Sequence, residues 1–252
     1  MFSLCRLTRW LTANRARARR SLTVVCFLLP GKAVVAQSVT GHAYVTLASG
    51  EGQLVRGTEV ILTCSTPEID AHMNSLRAVM EQAKLSLYSS IQAVKPTGNP
   101  VVMLAQHAGI VHHARGYLPR LVTAYRAQWE GLSIIRTRTD FEGEYLFDSV
   151  PPGSYRLVAH YATVHNKTDW EEPVEVVEGR QAKADLSNFN MIDLDELVGM
   201  DVVKSQLEAI DRMVSRMGLN ERLAFVQGAL VAFENGMKQS LPSAMTTTVE
   251  CR

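Results

Sequence analysis

The stretch that decides the fold is Thr139–Tyr161, TDFEGEYLFDSVPPGSYRLVAHY. Its first half carries Tyr145 and Phe147 two residues apart, a spacing typical of a half-buried strand. Its second half repeats that period and predicts a second strand, with one face formed by Tyr155, Leu157, Ala159 and Tyr161. The strand–turn–strand pattern predicts a β-sheet protein. It defines a structural class and names no substrate.

Two turns delimit these strands. Asp140 and Gly143 predict a tight turn ahead of the first strand. Pro151 and Pro152 end that strand because proline fixes φ and lacks the amide hydrogen that a β-ladder needs. Gly153 follows and can adopt a positive φ, which favours a turn at this point. All five residues are therefore predicted to be structural turn residues.

The pattern T-D-x-x-G-x-Y-x-F-x-x-V-P-P-G-x-Y-x-L across these turns resembles the carboxypeptidase regulatory-like domain, a small transthyretin-type (prealbumin-type) β-sandwich. The earlier part of that family's pattern is present in Gly41–Val45 and Val55–Leu62. The resemblance covers about residues 38–66 and 132–188. It implies an antiparallel β-sandwich and no particular activity, because one sandwich fold serves many functions.

Between the two parts of the sandwich the hydrophobic period changes from two to between three and four. Thr66 is a suitable N-cap and Pro67 a suitable first helical residue, so a helix is predicted from this point. The motif Lys95–Pro100 ends it. A second helix is predicted from Val101 to about residue 114, and Gly116 and Pro119 are expected to interrupt it before a third segment continues to Trp129.

A further helical region follows the sandwich. One helix is predicted over Asp193–Met217 and another after Gly218. The second carries a strict three-four spacing of apolar residues, a coiled-coil-like seam, at Leu223, Val226, Leu230, Phe233 and Met237. We expect this seam to pack against the inserted helices in a four-helix layer. The alternative is a contact with a second subunit.

These segments predict an α+β protein: an antiparallel transthyretin-like β-sandwich with an inserted and a C-terminal helical hairpin. The predicted divisions are a signal peptide (1–36), the first part of the sandwich (37–66), the inserted hairpin (67–131), the second part of the sandwich (132–189), the C-terminal hairpin (190–240) and a tail (241–252).

The N-terminus has the features of a secretory signal peptide. A basic segment ends at Arg20, the apolar run Leu22–Leu29 follows, and Ala36 precedes a predicted cleavage site before Gln37. The apolar run is far shorter than the roughly 20 residues of a membrane-spanning helix, so no transmembrane helix is expected in the mature chain. These features predict an exported protein, periplasmic or secreted. An organelle transit peptide is the alternative for this arginine-rich, acid-free segment.

The formal net charge of +1 hides a segregation of charge. Residues 1–36 hold seven of the 26 basic residues and no acidic one, which leaves 19 basic and 25 acidic residues, about −6, in the rest. A mildly acidic mature chain argues against nucleic acid as a partner. A protein partner is expected instead.

Two of the four cysteines, Cys5 and Cys26, lie in the predicted signal peptide. The mature chain would keep Cys64 and Cys251. An even pair in an exported protein indicates a disulfide bond between the two. The alternative is a buried Cys64 and a free thiol in the tail.

Motifs for catalysis are weak. The histidines of the second helix, His107, His112 and His113, lack the i, i+4 spacing of a helical metal pair. Intradiol dioxygenases also resemble this chain around Thr139–Tyr155, and their ferric site would correspond to Tyr155 with His160 and His165 here, although the family's Arg-Pro-x-His-x-His run is absent. A metal-dependent enzyme is therefore the alternative hypothesis.

Aromatic residues on the strands allow one other partner class. Tyr44, Tyr145, Phe147, Tyr155 and Tyr161 alternate along the predicted strands, which favours a sandwich core, with a carbohydrate-stacking surface as the alternative. The leading hypothesis is a non-catalytic binding or structural module of the cell envelope. It needs no cofactor, and its helices form the partner surface.

Overall fold

The structure, a computed structural model, describes residues 37–47, 49–95, 98–163 and 167–236. Its strands are β1 Ser38–His42, β2 Tyr44–Thr46, β3 Gly52–Leu54, β4 Glu59–Cys64, β5 Ile135–Arg138, β6 Glu144–Asp148, β7 Gly153–Ala162, β8 Lys167–Val176, β9 Ala182–Lys183 and β10 Met191–Ile192. Its helices are α1 Pro67–Gln92, α2 Pro100–Gly131, α3 Leu194–Val198, α4 Met200–Val214 and α5 Leu219–Gly236. The protein is thus α+β. The predicted signal peptide and tail lie outside the described residues.

The strands form a sandwich of two main sheets. One sheet has the order β6-β1-β9 and the other the order β10-β8-β7-β4-β5, with β2 and β3 as a separate hairpin. Alternate residues of both sheets point inward because side chains of a strand alternate between its faces. The largest buried side chains of this core include Trp170, Phe147, Leu62 and Leu157.

The prediction of an antiparallel sandwich is wrong for one pair of strands. All pairs in the five-stranded sheet are antiparallel, as are β1 and β6. In contrast, β1 and β9 pair in parallel, with Val39 opposite Ala182. A long connection separates β1 from β9, so β9 can run in the same direction as β1, and the period-two pattern alone does not encode this direction.

The helices α1 and α2 lie in the connection between two neighbouring strands, β4 and β5, which pair with each other. Thr66 caps α1 as predicted: its Oγ1 accepts a hydrogen bond of 3.3 Å from the amide of Ile69. Asn99 caps α2 in the same way, with Oδ1 2.9 Å from the amide of Val101. In each helix proline occupies the first turn, where its missing amide hydrogen is harmless.

A second hydrophobic core lies between the helices and the outer face of the five-stranded sheet. Strand β4 serves both cores: Val60 and Leu62 face the sandwich interior, whereas Ile61 packs with the helices. The helical core is largely formed by α2, with Leu118, Val122, Tyr125 and Trp129 each at most 2% exposed. One face of this sheet is therefore covered by the other sheet and the opposite face by helices.

Two helix boundaries differ from the prediction. Helix α2 runs unbroken through Gly116 and Pro119 to Gly131, since the buried stripe on both sides of the proline favours one continuous helix. The predicted helix over Asp193–Met217 is divided at Gly199, which has a φ of 85° and ends α3. A left-handed residue stops a helix, and glycine adopts this conformation without steric cost. None of the described helices is long and apolar enough to cross a membrane.

Candidate functional site

The first predicted turn is held by a side chain. Asp140 Oδ1 accepts hydrogen bonds from the amides of Glu142 and Glu144, at 2.8 and 2.9 Å. Gly143 has a φ of 75°, and a Cβ there would lie 2.8 Å from the carbonyl oxygen of Ala43. The turn needs glycine for both reasons, and it serves the β6 strand rather than a ligand.

In the second turn the residue in the left-handed region is Ser149 and not the predicted turn residue Gly153. Gly153 has a φ of 158°, close to extended, and it begins β7 opposite Val176. Ser149, with a φ of 57°, is the residue in the left-handed region. Pro151 takes part through its carbonyl oxygen, which accepts a 2.9 Å hydrogen bond from the Tyr155 hydroxyl. Together with Pro152, these residues close the end of the sandwich.

Cys64 ends β4 and packs partly buried against the helical core. Its sulfur takes part in a disulfide bond. Cys251 lies outside the described residues, so the pairing of Cys64 with Cys251 stays a prediction.

A buried polar cluster crosses the boundary between the helices and the sheet. The Arg77 guanidinium of α1 donates from Nε to the Tyr125 hydroxyl at 2.8 Å and forms an ion pair with the Glu171 carboxylate on β8. The Tyr125 hydroxyl in turn donates to Glu171 at 2.6 Å. Burial, followed by the neighbouring Glu171 charge, raises the pKa of Tyr125. Each polar group of this triad therefore has its partner inside the protein.

A second cluster lies beside the first. Arg126 of α2 donates two hydrogen bonds of 2.8 Å to both carboxylate oxygens of Asp169 on β8. His160 Nδ1 on β7 lies 3.0 Å from Asp169 Oδ1. Burial alone would raise the pKa of Asp169, but hydrogen bonds from His160 and Arg126 lower it below its ordinary value. The carboxylate stays ionised and holds α2 to the sheet.

A third contact completes this boundary. Arg156 on β7 donates to Asp70 on α1 at 2.9 Å, and its guanidinium carbon lies 6.0 Å from the centre of the Trp129 ring. We call these three clusters together the interface network. Its charges neutralise one another across the two layers. These contacts hold α1 and α2 against strands β7 and β8.

Sequence reasoning did not find the interface network. Asp169 and Glu171 flank the buried Trp170 on β8. This alternation is typical of a strand whose polar residues face solvent, so the two acids are expected on the surface. Arg77 and Arg126 lie on helices, where a charged residue normally faces water. The signal that could have found it is the coincidence of acids on a strand with arginines on the inserted hairpin.

The residues of the alternative iron site do not form one site. Tyr155 faces the sandwich core and His160 the helices, on opposite faces of β7. His165 lies outside the described residues. Among the described residues, no group of three or more histidine, cysteine, aspartate or glutamate side chains is placed to hold a metal ion.

The helical histidines are also dispersed. His113 stacks on Tyr117 with ring centres 6.1 Å apart. His107 is partly buried, and burial lowers its pKa, an effect that the neighbouring Gln206 side chain partly offsets. Three of the aromatic residues considered for carbohydrate stacking, Tyr145, Phe147 and Tyr155, are buried in the sandwich.

The apolar residues of α5 do not pack where the spacing predicted. Leu219, Leu223, Val226 and Leu230 are 76%, 57%, 52% and 57% exposed, and we call these four side chains the α5 seam. The helix instead contacts the helical core through Phe225 and Ala229. Gly228 allows a close approach to α2, since a Cβ there would lie 2.8 Å from that of Ala105.

The prediction that Leu223, Val226 and Leu230 close an intramolecular four-helix layer is thus wrong. Met237 of the predicted repeat lies outside the described residues. The helices do form one layer, but α5 uses another face to join it. The small residues Gly228 and Ala229 make that face suitable for close helix packing. The larger side chains are left in solvent.

Comparisons with known protein families and with curated proteins find no match. Among solved structures, a proposed carbohydrate-binding protein from Pseudomonas aeruginosa is 19% identical with a TM-score of 0.31, over 62% of this chain and 90% of that protein. The major pilin subunit of Bacillus cereus is 9% identical with a TM-score of 0.25, over 60% of this chain and 28% of the pilin. The pilus backbone protein of Streptococcus pneumoniae is 8% identical with a TM-score of 0.22, over 60% of this chain and 41% of that protein. The chain spans less than half of either pilus protein, and similarities this low support no inference about function.

Proposed function

We propose that this protein is an exported, non-catalytic structural module of the cell envelope that assembles with a second copy of itself through the α5 seam. The observation that carries the proposal is the exposure of four large apolar side chains at heptad spacing on one helix. Contiguous apolar surface of this kind marks an interaction site in soluble proteins. The interface network supports a non-catalytic role, because its charges are used within the protein.

A second copy is the partner that fits the seam best. A three-four repeat is complementary to an identical repeat, since each apolar side chain enters a hole between four residues of the facing helix. The positions next to the seam are mostly neutral, at Asn220, Gln227 and Ala229. Two copies therefore meet without a row of like charges between them.

The strength of this contact follows from the exposed fractions. Full burial of a leucine or valine side chain stabilises by roughly 1.5–3 kcal/mol. Four side chains that are about half to three-quarters exposed give roughly 7–15 kcal/mol over two copies, against roughly 4–15 kcal/mol for the loss of free motion on association. We therefore expect a dimer that dissociates on dilution.

The test compares two double variants of the full chain by light scattering and circular dichroism. Leu223→Asp with Leu230→Asp places two charges in the seam and should give a monomer with unchanged helicity. Ala224→Asp with Val231→Asp is the matched control, with the same charge and spacing on an exposed face of α5 away from the seam, and should stay dimeric.

Three outcomes contradict the proposal. One is a wild-type protein that is monomeric at every concentration. Another is a seam variant that stays dimeric. The third is a loss of helicity in the seam variant alone, which would show that the seam is buried within one chain.

Export and fold family are further parts of the proposal. The basic start, the short apolar run and Ala36 support cleavage before Gln37, with release to the periplasm or beyond. N-terminal sequencing of the mature protein should begin at or near Gln37, and an intact Met1 on cytosolic protein would contradict export.

We place the sandwich with the carboxypeptidase regulatory-like domains on the turn pattern of residues 139–157.

A further inference from the structure

A pocket of 380 Å³ lies between the end of α1, the start of α2, the end of α4 and the start of α5, and its lining includes thioether, imidazole and carboxylate groups. Three of the ten methionines of the chain line it, Met103, Met213 and Met217. His107 and Glu221 lie in the same lining. The remaining lining residues are aliphatic or proline.

Helix geometry brings these groups to one place. Met103 and His107 are four residues apart on α2, so their side chains share one face of that helix. Met213 lies in the last turn of α4, and Met217 follows in the turn before α5. The pocket is therefore walled by one Met–His pair and one Met–Met pair from two segments distant in sequence.

The imidazole of His107 carries the second observation. Its Nε2 is buried and has no hydrogen-bond partner among the described residues. A buried polar atom without a partner is costly, and in native proteins such an atom has an explanation, which includes an absent ion. Methionine often fills irregular gaps between helices, and this role would explain the three thioethers. It would not explain a buried imidazole nitrogen without a partner.

We propose that this pocket binds a soft monovalent metal ion of the Cu(I) class, with the thioethers of Met103, Met213 and Met217 and His107 Nε2 as its ligands. Thioether sulfur selects Cu(I) over harder cations, and neutral imidazole is a common copper ligand. Met103 and Met213 are 36% and 47% exposed, which leaves the ion a path from solvent. Glu221 supplies a negative charge at the rim, where its carboxylate also accepts a 2.9 Å hydrogen bond from the Gly218 amide.

This pocket is not the ferric site that the resemblance to intradiol dioxygenases implied. Its proposed ligands are three methionines and one histidine, with no cysteine or carboxylate. A group of three or more histidine, cysteine or acidic side chains that could hold a metal ion is not found among the described residues. The pocket also lies apart from Tyr155 and His160, in the helical layer.

The test is titration of the full chain with Cu(I) under anaerobic reducing conditions against a chromophoric Cu(I) chelator, with Ag(I) as a redox-inert probe. Wild type should bind one equivalent. Met213→Leu with Met217→Leu, and separately His107→Leu, should each weaken binding by about tenfold or more. Met191→Leu is the matched control, since Met191 is 39% exposed on β10, and should leave affinity unchanged.

Leucine conserves the volume of methionine, so the double variant should keep the fold, and its circular dichroism spectrum should match wild type. Zn(II) added at the same concentration should not displace Cu(I). The proposal is overturned if wild type binds no Cu(I), if the two pocket variants bind as tightly as wild type, or if Met191→Leu weakens binding equally.

Discussion

At the scale of single residues, Gly41 shows how closely the strands of the sandwich approach. It lies in β1 opposite Tyr145 of β6. The Tyr145 hydroxyl donates to the carbonyl oxygen of Ala184, next to β9. A Cβ on Gly41 would overlap this carbonyl oxygen and lie 2.6 Å from the tyrosine oxygen. Only glycine leaves room for both groups.

Gly41→Ala should therefore destabilise the protein by about 3 kcal/mol or more, since the neighbours are backbone and a buried, hydrogen-bonded side chain. The free energy of unfolding from urea denaturation measures this loss. Gly52→Ala is the matched control, because a Cβ on this β3 residue meets nothing within 4 Å; it should change stability by about 0.5 kcal/mol or less. Equal effects of the two substitutions would contradict the predicted packing.

At the scale of secondary structure elements, α2 is the element on which the helical layer depends. It packs against α1, α3, α4 and α5, and it tolerates Pro119 in its interior. Proline there removes one helical hydrogen bond and crowds the carbonyl four residues earlier. Packing of the buried stripe overcomes this cost.

Pro119→Ala should therefore stabilise the protein, by about 1–3 kcal/mol, because alanine restores the lost hydrogen bond and the favoured helix propensity. The midpoint of urea denaturation should rise, and helicity should not fall. A lower midpoint would show that the proline is needed for the course of α2, for example to aim its two halves at different partners.

The sequence predicted those elements whose signals are local. The cap at Thr66, the turn at Asp140 and the alternation around Tyr145 depend on neighbouring residues, and the structure contains all three. It did not predict the continuity of α2 through Pro119, because packing between distant segments decides it. Nor could spacing tell which surface the α5 seam meets, since a heptad repeat defines a stripe and not its partner.

At the scale of the whole molecule, the interface network joins the helical layer to the sandwich. Asp169 and Glu171 on one strand hold arginines from two different helices. Breaking a buried ion pair leaves one charge without a partner, and this costs more than the pair itself contributes. The two layers should therefore lose their structure together.

Arg126→Met should destabilise the protein by about 1.5–3 kcal/mol at neutral pH, because Asp169 loses two charge-assisted hydrogen bonds. The pKa of Asp169 is lowered in the folded protein, so its stabilising contribution is present above its ordinary value of 3.8 and is lost as pH falls through the folded pKa. The difference between variant and wild type should shrink at low pH.

Urea denaturation at pH 7 and at about pH 2.5 measures this dependence. Arg136→Met is the matched control, since Arg136 pairs with Glu59 at an exposed site with side chains 45% and 42% accessible. It should change stability by about 1 kcal/mol or less at either pH. A difference for Arg126→Met that is constant with pH would contradict the role of the Asp169 charge.

The most direct test of self-assembly through α5 is an isotope-filtered NOE measurement on mixed dimers. One half of the sample carries ¹³C-labelled leucine and valine methyl groups, and the other half is unlabelled. Self-assembly through the α5 seam predicts intermolecular NOEs to the methyl groups of Leu223, Val226 and Leu230 and none to Leu157, which lies inside the sandwich. A dimer whose intermolecular NOEs lie elsewhere, or a sample with none at any concentration, would contradict it.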